Sequence, residues 1–187
     1  MNKLKTALLV TTLLCAALPA WAQRARTSPH ETISTVIGER RTGCRVTLVY
    51  GRPYSKDPKS GETRKIWGTL VPYGKAWRLG ADEATLLITQ QPLVFGDTTI
   101  PAGAYTLYMI PDEGDGSKLA FSSALGGWGI PVNESHDLAR VPLKKESTDK
   151  TVDQFTMTIQ NEPAAGGGVL KLMWENTQFS VPFTVKK

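Results

Sequence analysis

Residues 44–50 read CRVTLVY, and their alternation decides the fold class. Cys44, Val46, Leu48 and Tyr50 fall in phase, with Arg45, Thr47 and Val49 between them. Alternate residues of an extended chain project to the same side, so these four share one face of a strand. That face is apolar, and it makes Cys44 a buried, inert thiol rather than a nucleophile. The same alternation returns in shorter runs along the chain. Residues 32–37 form a weak strand. Residues 84–90 and 92–95 form two more, and IPAG at 100–103 turns into AYTLYMI. Asp112 to Gly116 turns into KLAF, and residues 138–144 alternate with Ala139, Val141 and Leu143 inward. Phe155, Met157 and Ile159 alternate with threonines. The Gly166-Gly167-Gly168 hairpin region leads to Leu170, Leu172 and Trp174. Phe179, Val181, Phe183 and Val185 close the chain, with Pro182 marking an edge or a bulge. One helical turn is expected at Lys65 to Leu70, where Ile66, Trp67 and Leu70 fall on one side. No long segment has a helical period. The expected fold is all-β: an antiparallel sandwich, or a barrel-like sandwich, of about nine or ten strands.

Residues 1–22 read as a secretory signal peptide. Lys3 and Lys5 supply the basic region, Thr6 to Leu18 is apolar but too short to span a bilayer, and Ala20-Trp21-Ala22 is a small-x-small cleavage site. The expected address is the periplasm or the medium of a bacterium, with no transmembrane segment after cleavage. Residues 23–31 read as a flexible lead-in and 32–187 as a single domain. Cleavage removes Cys15, so Cys44 is left with no intramolecular disulfide partner.

Charge is unevenly spread. Between Arg52 and Arg78 lie seven Lys or Arg residues against Asp57 and Glu62, interleaved with Tyr54, Trp67, Tyr73 and Trp77. Guanidinium and ammonium groups fix anions, and Tyr and Trp add flat apolar surface with a polar tip. The candidate ligand-binding set is therefore Arg52, Lys65, Trp67, Tyr73, Lys75, Trp77 and Arg78. An acidic glycan, another anionic envelope component or an envelope protein suits it. Nucleic acid would suit the charge, but export argues against it. A solvated basic loop with Trp67 and Trp77 in the core is the bland alternative.

Chemistry is harder to place. The histidines, His30 and His136, are far apart with no cysteine cluster, so no metal and no cofactor is expected. Gly-x-Ser-x-Gly is absent, and Ser147 to Lys150 matches Ser-x-x-Lys only in a charged stretch. Gly126-Gly127-Trp128-Gly129 reads as a loop that displays or tucks in Trp128. Asp82 and Glu83 are adjacent and, on extended backbone, point to opposite faces. A hydrolase would need Glu83 or Asp82 as acid/base, Arg78 as electrostatic support and a second carboxylate such as Glu175. A structural brace between Arg78 and a carboxylate is the competing reading.

Four blocks carry a family resemblance: VTLVYGRPYSKDP, RKIWGTLVPYGKAWRLGADEATLL, IPAGAYTLYMIP and LMWENTQFSVPF. In this order they resemble the bacterial exported family catalogued as domain of unknown function 2911, from Ser28 to the C-terminus. The resemblance implies an exported all-β domain and no known activity, cofactor or catalytic residues. Three functions stay open: a non-catalytic binding or envelope-associated sandwich, an envelope glycan- or peptide-processing hydrolase, and a structural or assembly factor with no small ligand.

Overall fold

A computed structural model describes residues 27–186. The expected signal peptide lies outside the described residues. Ten strands form two antiparallel sheets, packed as a sandwich that does not close into a barrel. The larger sheet contains β1 (His30–Ile37), β2 (Cys44–Gly51), β3 (Thr85–Thr89), β6 (Gly103–Ile110), β7 (Lys118–Ser122) and β8 (Asp137–Pro142), in the order β1-β2-β3-β6-β7-β8. The smaller contains β4 (Leu93–Phe95), β5 (Thr98–Ile100), β9 (Lys144–Glu162) and β10 (Gly167–Val185), in the order β5-β4-β10-β9. Cys44, Val46, Leu48 and Tyr50 are all buried, as their phase requires.

Several boundaries differ from the sequence reading. β1 begins at His30 because Glu31 is held there: the Tyr50 hydroxyl donates to Glu31 Oε2 (2.6 Å), and Arg52 Nε lies 3.3 Å from the same oxygen. The alternating run 138–144 is two strands, not one. β8 ends at Pro142, and the chain crosses at Leu143 into the other sheet, where β9 begins. The three apolar runs after residue 154 belong to one hairpin of two 19-residue strands, β9 and β10. Pro182 sits where β10 passes from its last pair with β9, Ser180–Lys144, to its first with β4, Thr184–Val94. A proline tolerates that position because it lacks a ladder N–H to lose. The helical turn expected at Lys65 to Leu70 does not form. The chain turns there through Val71 N–H to Ile66 O (2.9 Å) and Gly68 N–H to Val71 O (2.9 Å), because Ile66 and Val71 both enter the core. The only short helical turns among the described residues are 3₁₀, at Glu134–His136 and Pro163–Ala165.

The long segment between β2 and β3 covers one end of the sandwich. Trp77 pairs with Met109 through two backbone bonds (2.7 and 2.8 Å), which stitches the segment to β6. Its indole stacks on that of Trp174 (centroids 5.8 Å apart, planes at 19°). Trp67 meets both edge-on, and Phe155 and Phe179 complete the cluster. This aromatic plug closes the core beneath the basic segment. Among the described residues no helix is long and apolar enough to cross a membrane.

Candidate functional site

The turn between the aromatic plug and β3, Leu79 to Glu83, organises this end of the molecule. Leu79 and Asp82 adopt left-handed backbone (φ 60° and 63°), a conformation that costs an L-residue free energy and needs local support. The support is visible. Thr85 Oγ1 donates to Leu79 O (2.7 Å), and Ala81 N–H bonds Gly51 O (3.3 Å). The turn also lies so close to β2 that a Cβ on Gly51 would stand 2.1 Å from Ala81 O.

The left-handed Asp82 overturns the expectation that Asp82 and Glu83 diverge, since strict alternation holds only for extended backbone. Asp82 Oδ2 and Glu83 Oε2 both lie 3.3 Å from His30 Nε2. His30 comes from the end of β1, more than fifty residues away in sequence, and nothing local signals it. The two acids therefore meet one imidazole at the sheet edge. They reach Arg78 through space: burial lowers the guanidinium pKa, and the Asp82 and Glu83 charges oppose that shift. Arg78 itself donates to Trp128 O (3.2 Å), with its guanidinium carbon 5.6 Å from the Trp128 ring centroid.

Two clefts flank this turn. The first, of about 360 Å³, is lined by Tyr54, Arg64, Leu70, Trp77, Arg78, Asp82, Ile130 and Trp174 among others. Its polar groups are unusual. Trp174 is 1 % exposed, and neither its indole Nε1–H nor the Nε–H of Arg64 has a hydrogen-bond partner among the described residues. Arg64 spends one terminal nitrogen on Tyr54 O. A buried donor left unmade costs about 1–3 kcal/mol, and both nitrogens lie beneath the cleft surface, as does the equally unpartnered Trp67 Nε1–H of the aromatic plug. The second cleft, of about 490 Å³, lies on the other side, between His30, Tyr50, Glu83, Thr106 and Trp128.

The expected ligand set divides. Trp77 and Arg78 line the first cleft. Arg52 does not: its donors go to Phe155 O (3.1 Å), Thr156 Oγ1 (2.8 Å) and Glu31, which makes it a brace between β2 and β9. Trp67 belongs to the aromatic plug. Tyr73 lies under Lys145 Nζ, 5.9 Å from its ring centroid, and Lys65 and Lys75 are exposed outside both clefts. Of the catalytic candidates, Asp82 lines the first cleft and Glu83 the second. Glu175 lines neither. It occupies a left-handed bulge of β10 (φ 51°), where burial raises its carboxyl pKa. Arg64, Tyr54 and Trp174 were not singled out from sequence as ligand contacts, although Arg64 and Tyr54 sit inside the basic, aromatic segment. Among the described residues no three His, Cys, Asp or Glu side chains are grouped to hold a metal ion.

A family model described as a protein of unknown function (DUF2911) matches residues 28–183, which includes the whole sandwich up to Phe183. The chain belongs to the DUF2911 family. No curated protein matches this DUF2911 chain, and no solved structure does. The matched span holds every residue that lines the second cleft and all but Thr27 of those that line the first.

Proposed function

We propose that the protein is an exported, non-catalytic binding module. Its first cleft takes a small ligand with an acidic group and a flat apolar face, the chemistry of an acidic sugar. The observation that carries this reading is the lining of one cleft, where the guanidinium groups of Arg64 and Arg78 stand with the aromatic rings of Trp77 and Tyr54. An incoming carboxylate pairs with those guanidinium groups, whose two charges outweigh the single charge of Asp82. Trp77, Tyr54 and Leu70 supply the apolar surface. Aromatic walls with a few placed polar groups are the usual make-up of small-molecule sites.

Hydrolysis has less support. The second carboxylate that it would need, Glu175, lines neither cleft, and Asp82 and Glu83 face a shared imidazole. Calorimetric titration with oligogalacturonate and with neutral oligosaccharides of the same length tests the reading. Binding of the acidic series that weakens about tenfold or more in Arg64→Ala supports it. Equal affinity of wild type and Arg64→Ala for the acidic series would sink it.

A further inference from the structure

The second cleft has its own construction. Trp128 is 57 % exposed, a costly position for so large an apolar ring, yet it is held in place from three directions. Arg78 donates to its carbonyl and lies against its ring. One residue earlier, Gly127 O accepts from Ala84 N–H (3.2 Å). One residue later, Gly129 sits so close that a Cβ there would stand 3.0 Å from the Cβ atoms of both Arg78 and Ala84. A tryptophan that only had to avoid water would be tucked in. This one is fixed at the mouth of a cleft of about 490 Å³, within the range of small-molecule sites.

The charges around that ring select the ligand class. Arg78 against Trp128 disfavours a cation on the same ring. Asp82 and Glu83 beside His30 disfavour an anion. A neutral polyhydroxyl ring meets neither objection. Its C–H face matches the indole, and its hydroxyls both donate and accept. A carboxylate has room for about four hydrogen bonds. Glu83 lines the cleft as an acceptor for a ligand hydroxyl, and the Thr106 hydroxyl, which donates to Ala124 O (2.6 Å), can accept from a second.

We propose that this cleft is a second binding site, for a neutral pyranose ring stacked on Trp128 with its hydroxyls held by Glu83 and Thr106. The site goes beyond the acidic-ligand reading of the first cleft and does not need it. The test is titration of the full chain with maltohexaose, cellohexaose and chitohexaose, followed by tryptophan emission and calorimetry. Wild type is expected to bind at least one of the three at millimolar concentration or tighter. Trp128→Ala should weaken that binding about tenfold or more, and Trp128→Phe should recover part of it. Trp128 is exposed, so neither change threatens folding; Glu83→Gln, read in the same way, should weaken binding independently. No binding of any of the three, or binding that survives Trp128→Ala, overturns the proposal. Oligogalacturonate run beside them reports on the first cleft alone: its binding should depend on Arg64 and not on Trp128, so either site can fail while the other stands.

Discussion

Gly129 and Gly126 offer a paired test of how the Trp128 loop is clamped. Both have left-handed backbone, φ 77° and 76°. A Cβ on Gly126 meets nothing within 4 Å, whereas one on Gly129 meets the Cβ atoms of Arg78 and Ala84 at 3.0 Å and Ala84 Cα at 3.1 Å. Gly126→Ala should therefore cost only the left-handed penalty, about 1–2 kcal/mol. Gly129→Ala should cost the same plus an overpacking term of about 1–3 kcal/mol. The contacts are with a backbone-anchored Cβ on each side, so neither can swing away, and relief must come from lifting the loop. Urea unfolding measures the difference, which corresponds to roughly 2–4 °C in Tm per kcal/mol for a domain of this size. Iodide quenching of Trp128 should also become more efficient in Gly129→Ala alone. Equal destabilisation of the two variants, or unchanged quenching in Gly129→Ala, would refute the clamp.

Three further outcomes follow from the buried polar groups. Tyr50→Phe should cost about 1–3 kcal/mol, because it strands Met157 N–H (2.9 Å from the hydroxyl) and removes the donor to Glu31; denaturant melts check this. Burial first, then the Glu31 bond, raises the Tyr50 pKa, and burial with the Asp137 bond does the same for Tyr108. A phenol whose folded pKa is raised contributes stability that is whole below its unfolded pKa of about 10 and is lost as pH rises above it. Tm should therefore fall steeply in alkali, and less steeply in Tyr50→Phe. Glu175→Gln should raise stability slightly at neutral pH, by less than about 1 kcal/mol, because it removes a charge that burial disfavours. That gain should vanish in acid, where the native carboxyl is itself protonated, and ligand affinity should not change.

The sandwich was legible because two-residue alternation survives wherever one face is buried. CRVTLVY and the Phe155 and Leu170 runs read correctly down to single side chains. What escaped was continuity. The β9–β10 hairpin looks like separate short strands because its solvent faces carry Lys, Thr and Asp stretches that mimic loops. Two residues of the candidate cleft, Trp77 and Arg78, stand out in sequence because aromatic and basic residues cluster there. Other residues around the turn do not. His30 arrives from another strand, Trp174 from the opposite sheet, and the left-handed Asp82 breaks the alternation on which the reading of the acid pair relied. Arg52 shows the converse. Its charge belongs to the basic run, but its position at the end of β2 commits it to β9.

The most direct measurement is on the indole N–H of Trp174. Its proton resonance, assigned by Trp174→Phe, is followed during titration with oligogalacturonate. Trp174 lines the first cleft, so a ligand that fills it changes the surroundings of the indole; the resonance should shift on binding, and the shift should be lost or weakened in Arg64→Ala. Binding that moves other indole signals but leaves Trp174 in place would contradict the acidic-ligand reading, as would a Trp174 signal that no acidic oligosaccharide moves.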